Sequence, residues 1–190
     1  MYQTNKEKRA ILLGMAIGDG CINNCNHLVI RHSIKQKEYL EYKKSIVEQI
    51  YHCKLKTTFI QNGYQFQKSD KKHFRIYRKW LYRNNKKVIS NVLRFLDLQS
   101  IALWYMDDGS LTAKKRNGKI HGYELTLNTY ESKEENQKII DWFKDTLNIK
   151  FTQCKGKGKY RLRMGTKEAK KFCSLILPYV HDSMMYKVIL

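Results

Sequence analysis

Two acidic turns, Gly18-Asp19-Gly20 and Asp107-Asp108-Gly109, each close a short apolar stretch, and Asp19 and Asp108 stand 89 positions apart in a chain of 190 residues. The C-terminus of a helix already carries negative partial charge from its unpaired carbonyls, so it favours Lys or Arg. A carboxylate there, just before a Gly able to take a left-handed capping conformation, costs local stability. Two such carboxylates brought together would repel unless divalent cations lay between them, with nearby carbonyl oxygens as further hard ligands suited to Mg²⁺. Gly14 and Gly18 lie four apart, on one helix face, and would let a second backbone approach closely. The second helix offers Ala102 and Met106 on one face, with Leu103 and Asp107 beside it.

The elements that must position these turns recur in the same order. Residues 7–17 have helical character, 28–34 alternate as a strand, and 39–51 return to a helix with Leu40, Val47 and Ile50 against Lys43 and Lys44. Residues 55–60, 63–67 and 73–77 read as strands, with turns at Asn62-Gly63 and Ser69-Asp70, and helical segments follow near 80–82 and 88–96. Residues 101–106 then form a second apolar helix, 123–128 a strand, and 133–147 an amphipathic helix burying Ile139, Ile140, Phe143 and Leu147. A hairpin around Gly156 and Gly158 joins 151–154 to 160–164, and 167–177 is the last main helix.

Composition narrows the class of partner. The chain has 37 Lys+Arg against 17 Asp+Glu, a net charge of +20, and 42% hydrophobic residues. A folded core with that excess is most easily explained by a polyanion that relieves its self-repulsion, with nucleic acid first. Residues 1–95 carry 20 basic and 6 acidic groups and the remainder 17 and 11, so the first half should bear more phosphate contact. The longest nearly apolar run, residues 10–17, is too short to span a bilayer, and no secretory signal is evident. Five cysteines without paired spacing imply reduced thiols and an intracellular setting, with mitochondrial matrix, another organelle, and bacterial or phage-infected cytoplasm undistinguished. Cys21, Cys25 and His27 lack a standard zinc spacing and read as incidental to a turn.

Residues 12–20, LLGMAIGDG, and 101–109, IALWYMDDG, resemble the two copies of the nine-residue motif that names the LAGLIDADG homing endonucleases. The similarity extends through residues 84–87, 127–129 and 184–187. It implies an α+β fold of two pseudo-symmetric αββαββα halves, 1–97 and 98–190, with motif helices at the centre and saddle-shaped antiparallel sheets facing DNA. It also implies a monomer that cuts double-stranded DNA across the minor groove of a long asymmetric target, leaving four-base 3′ overhangs. The family's metal-binding catalytic carboxylates fall on Asp19 and Asp108, with the Gly18 and Asp107 carbonyls completing the shells. Its active-site cations fall on Lys87 and Lys187. Mg²⁺ is the implied cofactor, with Mn²⁺ as a substitute and Ca²⁺ supporting binding without efficient cleavage. The sequence departs from the motif at Leu103, which replaces a glycine, and Ile17, which replaces the first acidic residue.

Strand alternation nominates base-reading side chains at Arg31 and Ser33 or His32, at Gln61, Gln65 and Gln67, at Arg75 and Tyr77 or Arg78, and at Lys155, Lys159, Arg161 and Arg163. Arg suits guanine and Gln suits adenine. Lys71 and Lys72, in residues 68–72, and Lys114, Lys115 and Arg116, in residues 114–119, are expected in loops that contact the phosphate backbone. Three other readings remain open: an intron maturase with intron RNA as partner, a non-catalytic DNA-binding protein on the same scaffold, and a general polyanion binder.

Overall fold

Thr4 accepts a hydrogen bond from the Glu7 N–H, and Glu7 returns one from the Thr4 N–H. This capping box starts α1 (Asn5–Ile17) by satisfying amides that a helix N-terminus leaves free. The computed structural model describes residues 4–156 and 159–189. From α1 the chain continues through β1 (Cys21–Ile22), β2 (His27–Ser33), α2 (Lys37–Tyr51), β3 (Thr58–Ile60), β4 (Gly63–Ser69) and α3 (Lys71–Leu81). A small ribbon of β5 (Tyr82–Arg83) and β6 (Lys86–Lys87), then two 3-10 turns, lead to α4 (Leu98–Asp108). The same order returns in β7 (Gly109–Arg116), β8 (Lys119–Leu127), α5 (Lys133–Leu147), β9 (Thr152–Gly156), β10 (Lys159–Gly165) and α6 (Thr166–Ile176). Both four-stranded sheets are antiparallel, ordered β1-β2-β4-β3 and β7-β8-β10-β9. The fold is thus α+β, with the αββαββα order used twice.

The motif helices α1 and α4 pack on each other at the centre, and Ala10 to Ile17 and Ser100 to Met106 are all buried. A methyl added to Gly14 would lie 2.6 Å from the Ser100 carbonyl oxygen, and one added to Gly18 would lie 2.2 Å from Asp107 Oδ2. The close approach expected on the Gly14/Gly18 face is therefore present, and its partners are Ser100 and Asp107 rather than Ala102 and Met106. Ser100 lies in the first turn of α4, N-terminal to the expected start at 101. The left-handed caps are not observed: among the described residues neither Gly20 nor Gly109 lies at positive φ, and Gly109 has φ −85°. These glycines answer a need for space, not for a special dihedral.

Residues 73–77, expected as a strand, lie inside α3. Asp70 caps that helix by accepting from the His73 N–H, and Phe74, Tyr77 and Leu81 recur on its buried side. A carboxylate at the cap and helical apolar spacing outweigh the strand propensity of the aromatic residues. The expected helix at 80–82 is the end of α3 running into β5. The region 88–96 forms 3-10 turns at Ile89–Asn91 and Leu93–Phe95. Residues 114–116 belong to the strand β7, whose hairpin turns at Asn117 and Gly118, both at positive φ. Helix α5 spans the expected 133–147, burying Ile139 and Phe143 together with Asn136. Of the expected β9–β10 turn, Gly158 lies outside the described residues.

Helices cover one face of each sheet and leave the other open. In the first sheet Leu28, Ile30, His32 and Phe66 point to the core, and Arg31 pairs with Gln65 and Val29 with Gln67 on the open face. In the second, Leu162 and Met164 are buried while Lys159, Arg161 and Arg163 alternate outward.

Candidate active site at the paired helix ends

At the end of α1 and of α4, Asp19 and Asp108 line a common cavity of about 980 Å³. Lys87, Thr129, Tyr130, Glu131 and Lys159 also line it. Burial, and then the charges of Asp107 and Asp19, push the Asp108 carboxyl up to about 7. Burial and the Asp107 charge likewise raise Asp19. These carboxylates hold protons more tightly than usual because their negative charge is incompletely compensated, which is the electrostatic condition a divalent cation relieves.

The two lysines occupy equivalent stations. Lys87 Nζ donates to the Gly18 and Gly20 carbonyls at 2.7 Å and to Ile17 at 3.4 Å. Lys187 Nζ donates to the Met106 carbonyl at 2.6 Å and to Asp107 at 3.2 Å. Met106 and Asp107 follow Ile17 and Gly18 by the same 89 positions as the motifs, so each ammonium caps the helix of its own half and sets a cation at the negative helix end. Burial lowers the pKa of both lysines, opposed by the surrounding aspartates. The Gly18 and Asp107 carbonyls, expected among metal ligands, thus each accept from a lysine here. A carbonyl oxygen keeps a second lone pair.

The Asp107 side chain has a task that the sequence did not suggest. Its carboxylate is fully buried; Oδ2 accepts from the Asp19 N–H at 2.9 Å and Oδ1 from Lys43 Nζ at 2.5 Å. Lys43 is itself fully buried, 3.1 Å from His32 Nε2 and 4.5 Å from the Tyr39 ring centre. His32 Nδ1 lies 3.6 Å from Asp19 Oδ2, and burial with the Lys43 charge lowers the imidazole pKa to about 4, so the ring is neutral. Among the described residues, Asp19, His32 and Asp107 form the one group of three potential metal-binding side chains, with candidate atoms within 4.8 Å of one another. The donor set of carboxylates and carbonyls at the helix ends suits a hard divalent cation. Cys21 and Cys25 are exposed free thiols outside this group. The sequence pattern sets Lys43 with Lys44 on the polar side of α2, against Leu40, Val47 and Ile50, and the structure buries it instead. Its signal was present, because Lys43 falls on the stripe Tyr39, Leu40, Ile46, Val47 and Ile50 that α2 buries.

The nominated DNA-contacting residues separate by position. Arg31, Ser33, Gln65 and Gln67 share the open face of the first sheet, where Arg31 also donates to the Ile60 and Gln61 carbonyls. Gln61 sits in the β3–β4 turn at φ 43°. Lys159, Arg161 and Arg163 lie on the open face of the second sheet. Lys155 does not, because it pairs with Tyr160, whose parity is that of the buried Leu162 and Met164. Lys114 and Arg163 flank Glu124 at 3.2 and 3.8 Å, with Lys115 and Arg116 beyond at the exposed hairpin tip. Lys71 and Lys72 open α3 instead of lying in a loop. Arg75 is exposed on that helix and not on a strand. Arg78 donates to the Ile22 carbonyl, Asn24 Oδ1 and Asn85 Oδ1, which makes it a brace between β1 and the β5–β6 turn, not a free base reader.

Two packed motif helices ending at paired carboxylates, each end held by a lysine from elsewhere in the chain, together with two four-stranded antiparallel sheets, make up a two-motif scaffold. The chain belongs to the LAGLIDADG DNA endonuclease family, whose model matches residues 9–172. It is 32% identical to the uncharacterized protein MJ1098 of Methanocaldococcus jannaschii, over 97% of this chain and 74% of that protein. A probable intron-encoded endonuclease of Wickerhamomyces canadensis is 26% identical over 97% of this chain and 85% of its own length. RecA of Mycobacterium leprae is 28% identical over 99% of this chain, which spans only 28% of that relative. Among solved structures, the homing endonuclease I-WcaI bound to its DNA recognition sequence superposes with a TM-score of 0.79 at 21% identity, covering 100% of this chain and 89% of that one. The N-terminal LAGLIDADG domain of WhiA superposes at 0.57 and 14% identity, covering 99% and 89%. Among the described residues no helix is long and apolar enough to cross a membrane.

Proposed function

We propose that this chain is a site-specific homing endonuclease that hydrolyses both strands of a double-stranded DNA target as a monomer, using Asp19 and Asp108 with Mg²⁺. The observation that carries the reading is the convergence of Asp19 and Asp108 on one cavity, beneath which Lys87 and Lys187 hold equivalent carbonyls. A bound divalent cation would supply Lewis-acid charge at the scissile phosphate and an activated water. Asp19 and Asp108 would hold it, and Lys87 and Lys187, buried beside them with lowered pKa, would balance phosphate charge or orient the water. The open faces carrying Arg31, Gln65, Gln67, Arg161 and Arg163 would read bases, with the minor groove over the carboxylates and four-base 3′ overhangs as the product. Support for a DNA partner comes from I-WcaI, solved on its recognition sequence, and from the net charge of +20.

The test is cleavage of a plasmid library in Mg²⁺ and in EDTA, followed by sequencing of the ends. Wild type should linearise a defined site in Mg²⁺ only, and D108N should lose double-strand cutting while still binding that site in Ca²⁺. Full activity in a D19N/D108N protein would refute the assignment. Binding of intron RNA without any DNA cleavage would favour the maturase reading instead.

A further inference from the structure

The pseudo-twofold arrangement is broken by one buried network. Matching Asp19 to Asp108 places Gly18 opposite Asp107. Both α2 and α5 are 15 residues long and end on left-handed caps, His52 at φ 49° and Asn148 at φ 52°, which places Ile139 opposite Lys43. In the sheets Cys21 pairs with Val29, and its counterpart Ser110 pairs with Thr126, so Thr129 stands opposite His32. The Asp19 half therefore has an ammonium, an imidazole and a second carboxylate, while the Asp108 half has an isoleucine, a hydroxyl and a glycine at those places. Thr129 gives its hydroxyl to Asn136 Oδ1 at 2.5 Å, and Asp108 is held through its carbonyl by the Asn128 N–H and side-chain amide.

An ammonium has donors only, so in the 3.1 Å contact between Lys43 Nζ and His32 Nε2 the imidazole nitrogen accepts. A neutral ring then carries its proton on Nδ1. That nitrogen is buried, makes no hydrogen bond of ordinary length among the described residues, and faces Asp19 Oδ2 across 3.6 Å, with the Gln36 side chain a second neighbour that favours a ring proton. The same ammonium fixes Asp107 Oδ1, whose other oxygen holds the Asp19 N–H. One buried cation thereby controls Asp19 from two sides, through its backbone and through a donor aimed at its carboxylate.

We propose that Lys43 is a positioning residue for the Asp19 half of the site alone, acting through the Nδ1–H tautomer of His32 and the Asp107 carboxylate, so that the two DNA strands are cut by chemically unequal half-sites. This rests on the endonuclease reading above. A carboxylate displaced by about 1 Å costs on the order of 10²-fold in rate, and Lys43→Met should impose a loss of that order on one strand only.

The experiment uses the selected target duplex, end-labelled on each strand in turn, and a plasmid bearing the site. For K43M the expected result is nicked circles, with one strand cut about a hundredfold more slowly and the other within about threefold of wild type. Equal loss on both strands in a variant that keeps the wild-type melting temperature, or no loss on either, overturns the proposal. K43M leaves Asp107 buried without its partner, so K43M/D107N, which removes both charges, serves as the second variant and should show the same strand bias. A readout free of cleavage comes from ¹⁵N spectra of ring-labelled histidine, with the His32 signal assigned by H32Q. Wild type should show Nδ1 protonated and Nε2 bare, and K43M/D107N should lose that selection; an Nε2–H tautomer in wild type refutes the clamp. Wild-type protein that cleaves no DNA refutes the endonuclease reading and the strand asymmetry with it, while the tautomer spectrum still decides the clamp.

Discussion

The raised Asp108 carboxyl makes metal-free stability depend on pH in a direction opposite to that of an ordinary paired carboxylate. The unfolded chain releases this proton near 3.8 and the folded chain near 7, because burial and the charges of Asp107 and Asp19 oppose ionisation. Between those values the folded state binds more protons than the unfolded one, so stability falls as pH rises from about 4 to about 7 and then levels. Each tenfold change in proton affinity is worth about 1.4 kcal/mol, so Asp108 withdraws about 4 kcal/mol from the metal-free fold above neutrality, a large share of the 5–15 kcal/mol typical of domains. Asp108→Asn keeps the shape and removes the charge. Urea unfolding in EDTA at pH 8 should place D108N more stable than wild type by several kcal/mol, and the gap should narrow to less than half by pH 5 and close below about pH 4. Adding Ca²⁺ should raise the wild-type midpoint more at pH 8 than at pH 5.5, where protons compete, and should move D108N little. Parallel pH profiles for the two proteins, or equal stabilisation of both by Ca²⁺, would refute the account of an uncompensated carboxylate cluster.

Gly14→Ala forces a methyl to within 2.6 Å of the Ser100 carbonyl and should destabilise the protein by about 1–3 kcal/mol in denaturant melts; an unchanged midpoint would mean that α1 and α4 can separate freely. Arg78→Ala should lower stability by about 1–3 kcal/mol, through lost bonds to Ile22, Asn24 and Asn85, with little change in specificity. Arg161→Ala should show the reverse, relaxing base preference in a binding-site selection by about 1–3 kcal/mol at one position. Asp70→Ala removes the cap of α3 and should cost about 1 kcal/mol without altering cleavage per folded molecule. Target affinity, followed by fluorescence anisotropy, should fall steeply and linearly with the logarithm of salt concentration; a flat dependence would contradict a phosphate-dominated interface.

Much of the site was legible because it depends on local spacing. Asp19 and Asp108 close apolar runs, and the glycines that admit a second helix are four apart. Lys87 and Lys187, by contrast, are two of 37 basic residues, and only the motif resemblance picked them out; the fold alone shows that each ammonium reaches its own helix end. The strand expected at 73–77 was wrong because Asp70 caps a helix whose aromatic residues recur at helical spacing. Arg75 and Arg78 went with it, and Lys155 was misplaced because one step in β9 register exchanges the two faces of a strand.

Two acidic helix ends, a repeat of the elements around them, and a charge that calls for a polyanion are properties of composition and short-range periodicity. Which side chains meet is a property of the fold. Lys43, His32 and Asp107 lie on α2, β2 and α4, up to 75 residues apart, and a buried ammonium is tolerable only where folding brings it a carboxylate and an acceptor nitrogen. No local pattern encodes that meeting. It makes the two halves unequal, whereas the repeat in the sequence presents them as alike.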